Sequence, residues 1–272
     1  MLGKLIKHEF LATWRLMLLL DAVLAGIGIF GFFVMGSIHN LEGLENNDAL
    51  GWIVSSYVLW FILYMLGILA VNIGTLIFLM IRYYRNLYST EGYLTFTLPV
   101  ETADILHAKL ITGYVWLFAS GFLTAVSVLL MVVGLFGAFP ASERAEIVEG
   151  FMELLGHVGP GVWVLCVIYA LLYPLVSLLT IAFCISVGQL WQKHKIAGAV
   201  VCYIGVHIVN RIVTTVFSFG RMINGLRGGL ADFEFGKYYS VTLWEFLIYS
   251  AVAGGIFYVV IRYINSHKLN LD

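Results

Sequence analysis

GWIVSSYVLWFILYMLGILAVNIGTLIFLMI, residues 51–81, contains no Asp, Glu, Lys or Arg. About 20 mostly apolar residues suffice for a helix to cross ~30 Å of hydrocarbon. This run exceeds that minimum, so tilt or protrusion is expected of it. The rest of the chain has the same character. Of 272 residues, 61% are hydrophobic and 11% charged, and mean hydropathy is +0.95. Soluble domains carry nearer ~25% charged residues, because a folded surface must face water. A soluble core of this chain length could not hide so much apolar surface.

Working outward from 51–81, five further runs qualify as spans: 16–35, 110–138, 161–190, 196–219 and 242–264. The expectation is an all-α integral membrane protein, with six transmembrane helices in a single transmembrane domain, 1–272. Pro174 lies inside the fourth span and is expected to bend it, since it removes a backbone donor. The first span is longer than the apolar core of a secretion signal, and no small-residue cleavage site follows it. It reads as a retained anchor. Cys166, Cys184 and Cys202 all fall in apolar runs with no close pair, which predicts free thiols rather than metal ligands or disulfides. The formal net charge of -1, without a basic tract interleaved with aromatics, argues against nucleic acid as a partner.

Basic residues collect on the side of a membrane protein that stays in the cytoplasm. Lys4, Lys7, Arg15, Arg82, Arg85, Lys109, Lys193, Lys195, Arg262 and Lys268 fall on one side of the six-span arrangement, ten of the fifteen Lys and Arg residues. The opposite loops hold Glu42, Glu45, Asp48, Glu143, Glu146, Glu149 and Glu153 against Arg144. Arg221, Arg227 and Lys237 in the last outer loop are the exception. Both termini are therefore expected in the cytoplasm.

Four segments beside the spans carry more information than a minimal connection needs. GKLIKHEFLATWR, residues 3–15, places Leu5, Ile6, Phe10 and Trp14 on one helical face and Lys4, Lys7, His8 and Arg15 on the rest. This predicts an interfacial amphipathic helix over 1–15. Residues 142–157 form a second amphipathic pattern. Ile147, Val148, Phe151, Leu154 and Leu155 lie on one face, four glutamates on the other, and Ser142 is its N-cap candidate. Residues 218–240 are too polar and glycine-rich to span, and predict short external helices or a re-entrant hairpin. Finally, RYYRNLYSTEGYLTFTLP, residues 82–99, mixes basic, aromatic and acidic residues in the manner of a protein–protein hot spot. Its other reading is a loop held on the membrane by its aromatics. Glu101, Thr102 and Asp104 then open the helix that enters the third span.

KLIKHEFLATWR at the start, RNLYSTEGYLTFTLP with ILHAKLITGYVW (residues 85–99 and 105–116), and ISVGQLWQKHKIAG (185–198) together resemble one family. It is the permease subunits of type-2 ATP-binding-cassette (ABC) exporters of Gram-positive bacteria. The resemblance implies a cytoplasmic coupling helix within 82–104 that docks on a separate ABC ATPase subunit, present in two copies. It assigns that contact to Arg85, Asn86, Leu87, Tyr88, Glu91, Gly92, Tyr93, Leu94, Phe96 and Pro99. It also implies a bacterial plasma membrane location, a second permease copy or paralogue, and ATP with Mg held in the partner subunit.

A P-loop requires G-x-x-x-x-G-K-[ST], so that backbone N–H groups and the lysine cradle phosphate. The Gly-Lys pairs here, Gly3-Lys4 and Gly236-Lys237, lack that context. The chain is therefore expected to carry no ATPase site of this kind and to bind no cofactor of its own. Catalytic residues are expected to be absent too, since no H-E-x-x-H occurs and Asp21 is the one carboxylate deep in a span.

Polar groups inside a membrane are functional candidates. Asp21 lies ~9 Å into the first span and Asn72 ~13 Å from the end of the second, at 1.5 Å per residue, depths that make them potential neighbours. His207, Asn210, Arg211 and Thr214 form a polar stripe on the fifth span. Either they line a transport pathway or proton relay, or they are inter-helix hydrogen bonds within a dimer. Gly26, Gly28 and Gly31 mark a face suited to close helix packing. The resemblance thus implies a permease subunit of an ATP-driven exporter, with a peptide, antibiotic or lipid-like amphiphile as the expected substrate. The alternative is an ion- or proton-coupled transporter working alone.

Overall fold

No proline interrupts the chain from Leu2 to Gly36, and a computed structural model forms these residues into one 35-residue helix, α1. The structure describes residues 1–37, 48–89, 92, 99–157, 159–191, 193–227 and 235–267, and among them all regular structure is helical. After α1 come α2 (Asp48–Tyr88), α3 (Thr102–Gly137), α4 (Ala141–His157), α5 (Pro160–Gly188), α6 (Lys195–Arg227) and α7 (Phe235–His267). Six of these seven, all but α4, contain a stretch long and apolar enough to cross a bilayer. Only 6% to 28% of the most apolar window of each is covered by protein. Such bare apolar surface is what a chain solvated by lipid presents, and this is a membrane protein with six candidate spans.

The helices run past the apolar stretches that predicted them. The amphipathic stretch 1–15 runs straight into the span 16–35, and from Leu2 the two form the single helix α1. At 1.5 Å per residue α1 is about 52 Å long, well over the ~30 Å hydrocarbon thickness. Residues 82–88, expected in a connecting segment, are the last two turns of α2. Ser218–Arg227 and Phe235–Ser240, expected as separate external pieces, continue α6 and begin α7. Gly220 and Gly225 lie within that extension, since an isolated glycine costs only about 1 kcal/mol relative to alanine in a helix. Lys109, counted as a connecting residue, lies in the third turn of α3 and is buried. Pro174 sits inside α5 without ending it, and Pro160 occupies the first turn, where no helical N–H is lost.

Two compact units divide the chain. One comprises residues 6–79 and 115–152. Here the buried positions of α1, Thr13, Met17, Asp21, Leu24, Gly28, Gly31 and Met35, recur every three or four residues and form a single stripe. Tyr64, Met35 and Met131 form its apolar cluster, with Ile27, Trp60 and Ile68 against it. Close packing explains three glycines. A Cβ on Gly28 would meet Ser127, one on Gly31 the Tyr64 ring, and one on Gly134 would lie 2.5 Å from the Phe32 carbonyl oxygen. Gly26, grouped with Gly28 and Gly31 in the sequence, faces open space instead.

The other unit comprises 1–5, 80–114 and 153–272. Its α5 packs along α7, with Phe183 and Phe257 stacked at 4.5 Å and Tyr169 near Phe246 at 6.3 Å. The rising order of these pairs makes α5 and α7 parallel. The start of α3 lies against both: Tyr114 Oη donates to the Leu171 carbonyl at 3.1 Å, and His107 Nε2 is 2.8 Å from Tyr258 Oη. At the α5–α6 turn a Cβ on Gly188 would lie 2.5 Å from the Ala199 backbone nitrogen.

Candidate functional site

Tyr88, the last residue of α2, brings three helices together. Its hydroxyl lies 2.7 Å from Ser186 Oγ near the end of α5 and 2.6 Å from Asn265 Oδ1 near the end of α7. Because Asn265 Oδ1 only accepts, Tyr88 donates to it, and Ser186 completes the cluster by donating to the Tyr88 oxygen or to the Ala182 carbonyl at 2.8 Å. All three side chains are buried, Ser186 completely. Tyr83 and Tyr84 add their rings, centred 6.1 and 6.5 Å from that of Tyr88. Leu87 beside it is 1% exposed. The end of α2 is thus held on the ends of α5 and α7 by an apolar collar around a hydrogen-bonded centre.

Within the segment 85–99, then, Arg85, Asn86, Leu87 and Tyr88 are helical, with Arg85 outward and Leu87 and Tyr88 inward. Gly92 is buried, and its N–H donates to the Ser89 carbonyl at 2.8 Å. A Cβ there would sit 2.6 Å from the Leu87 carbonyl oxygen, so glycine is dictated by a backbone contact. Pro99 is exposed in a bend just before α3. Glu91, Tyr93, Leu94 and Phe96 lie outside the described residues.

In the unit of residues 6–79 and 115–152, α3 carries a polar ladder at 116, 120, 124 and 127. Trp116 Nε1 donates to Thr13 Oγ1 at 3.0 Å, and Ser120 Oγ donates to Asp21 Oδ1 at 2.6 Å, both on α1. Asn72 Nδ2 of α2 donates to Thr124 Oγ1 at 3.0 Å, and Tyr64 Oη pairs with Ser127 Oγ at 2.9 Å. Asp21 and Asn72, expected as potential neighbours, are each bonded to α3, at Ser120 and Thr124, one helical turn apart. Thr124 Oγ1 donates to the Ser120 carbonyl at 2.8 Å, closing the chain from one to the other. The Ser/Thr spacing of four on α3 was the available sequence signal for these partners.

The α6 stripe is not assembled into a site. His207 and Arg211 are exposed on the least covered of the candidate spans, and His207 stacks edge-on against Tyr203 at 4.3 Å. Asn210 is half-buried, and its Oδ1 has no hydrogen-bond partner among the described residues. Thr214 bonds only to its own helix, at the Arg211 carbonyl. Arg221, by contrast, acquires a function in packing. It forms an ion pair with Glu245 of α7, bonds Ser218 Oγ at 3.1 Å and lies 5.5 Å over the Tyr238 ring. That pair closes one wall of a small crevice lined by Val213, Phe217, Phe246 and Tyr249. Among the described residues no three His, Cys, Asp or Glu side chains cluster as a metal site requires.

Comparison of the chain with protein-family models, with curated proteins and with solved structures finds no match in any of the three.

Proposed function

We propose that this chain is the membrane-spanning permease subunit of an ATP-driven type-2 ABC exporter in a bacterial plasma membrane. In this reading the segment beginning at Arg85 receives the movement of a separate ATPase subunit, and the spans form the pathway as a pair of permease chains. The observation that carries it is the Tyr88 cluster. A segment pushed from the cytoplasm needs a stiff connection to the spans it moves, and Tyr88 links the end of α2 to both α5 and α7 through buried hydrogen bonds. Basic residues support the same assignment of sides. Arg82, Arg85, Lys193 and Arg262 lie at or near the ends of α2, α5 and α7 that meet around Tyr88, the charge pattern of a cytoplasmic face. The substrate class is an amphipathic peptide, antibiotic or lipid-like molecule, and both termini are cytoplasmic.

The test is purification of the chain from its source membrane, with a photoreactive cross-linker placed at Arg85→Cys. Capture of a P-loop ATPase and ATP hydrolysis by the purified particle are expected. Absence of the ATPase from an actively transporting preparation, with several linker lengths, overturns the reading.

One observation favours the second reading, a stand-alone ion- or proton-coupled transporter: Asp21 is buried in a candidate span with Ser120 as its hydrogen-bond donor. Transport by the chain alone in vesicles, driven by an imposed ion or proton gradient and abolished by Asp21→Asn, would select it.

A further inference from the structure

The helix between the third and fourth candidate spans has an apolar face that no described residue covers. In α4, Ile147, Val148 and Phe151 are 42%, 47% and 57% exposed. At 100° per residue they share one side, and Glu143, Glu146, Glu149 and Glu153 share the other. We infer that α4 lies in the headgroup layer of the bilayer, with this apolar face inserted at the acyl boundary, and that it favours neutral or zwitterionic over anionic lipid.

Three observations select lipid as the occupant. First, α4 is tethered at both ends. Three residues separate it from Gly137, the end of α3, and two from Pro160, the start of α5. Its 17 residues, about 25 Å of helix, therefore stay at the boundary where the spans end. Second, the direction of the face is fixed. Arg144 stands on the same side of α4 as Ile147, Val148 and Phe151, and its guanidinium reaches back to the carbonyls of Phe139 and Gly137 at the end of α3. The apolar face thus turns toward the end of the span. Third, the neighbouring end of α3 is bare apolar surface as well, with Val132, Val133 and Leu135 exposed.

The lipid preference follows from charge. Interfacial helices that bind anionic membranes carry Lys and Arg on the polar face. Here the polar face holds four glutamates, and the one arginine is engaged with backbone carbonyls. A negative surface potential repels this helix.

The experiment uses the full chain in phosphatidylcholine vesicles and in vesicles of equal phosphatidylcholine and phosphatidylglycerol. Cysteines replacing residues 143, 146, 147, 148, 149, 151 and 153, one at a time in a background lacking native cysteines, carry a spin label. Its collision with dissolved oxygen is compared with its collision with a water-soluble nickel chelate. Positions 147, 148 and 151 should favour oxygen several-fold over the four glutamate positions, and by a smaller ratio in the anionic vesicles. Equal nickel access at all seven positions places the helix in water and overturns the inference. Shielding of 147, 148 and 151 from both reagents means that protein covers the face, which also overturns it. An unchanged or larger ratio in anionic vesicles refutes the lipid preference. If the cysteine-free background does not fold, Val148→Cys and Glu149→Cys are made with the native cysteines in place. Reaction with a charged maleimide is then followed by mass on the peptide that spans α4. Labelling at least tenfold faster at position 149 is expected, and equal rates defeat the proposal.

Discussion

Tyr88 Oη donates to Asn265 Oδ1 across 2.6 Å, joining residues 177 positions apart in the chain. A buried acceptor that loses its donor costs about 1–3 kcal/mol, whereas replacing both partners by apolar groups is close to neutral. Tyr88→Phe should therefore lower the unfolding temperature in detergent, and adding Asn265→Leu should recover most of the loss. Ser186 keeps its own acceptor, the Ala182 carbonyl, in either variant. A double variant less stable than Tyr88→Phe alone would show that the hydrogen bond is not what Tyr88 contributes.

Ser120 is the hydrogen-bond donor to Asp21 among the described residues. Ser120→Ala should cost about 1–3 kcal/mol, because the buried carboxyl group is left without that donor. Ser127→Ala is the comparison, since it leaves a neutral tyrosine hydroxyl rather than a carboxyl group and should cost less. Thermal unfolding of the two variants side by side checks the order.

The glycines separate by what surrounds them. Gly134→Ala forces a Cβ onto the Phe32 carbonyl, a backbone atom that has no side-chain freedom to yield. Overpacking of this kind costs about 1–3 kcal/mol. Gly26→Ala meets nothing and should be neutral or stabilising by up to about 1 kcal/mol through helix propensity. A lowered unfolding temperature for Gly134→Ala and an unchanged or raised one for Gly26→Ala are the expected result.

Near the end of α6 and three turns into α7, Arg221 and Glu245 are 13% and 29% exposed, between the surface and buried extremes. Arg221→Ala should destabilise more than Glu245→Gln, because it also removes the contacts to Ser218 and Tyr238. The reversed pair, Arg221→Glu with Glu245→Arg, should recover part of the loss. High salt should diminish the difference between wild type and Glu245→Gln, since the pair is partly screened. Unfolding temperatures at low and high salt decide both points.

Much of the architecture was legible because the solvent dictates it: apolar runs of sufficient length predicted all six candidate spans. Helix ends were less legible, since a helix such as α1 or α6 continues through polar residues wherever no breaker stops it. Asp21 and Asn72 stood out as polar residues in apolar runs. Their partners Ser120 and Thr124 did not, because serine and threonine are ordinary in membrane helices and only their fourfold spacing marked them. Tyr88 drew notice for its neighbours along the chain, while Ser186 and Asn265 become its partners only through the packing of α2, α5 and α7. Glu245 escaped notice because residues 218–240 read as short external helices or a re-entrant hairpin, not as the continuation of α6 that carries Arg221 to it.

The ladder on α3 also bears on how the protein is made. α1 and α2 leave the ribosome first, and they already fit one another where Gly31 meets Tyr64 and Ser37 meets Tyr57. Asp21 and the side-chain amide of Asn72, however, find Ser120 and Thr124 only once the third helix has been synthesised. A chain arrested before residue 116 would hold a hairpin in which Asp21 lacks its Ser120 donor and Asn72 keeps only the Ile68 carbonyl of its own helix.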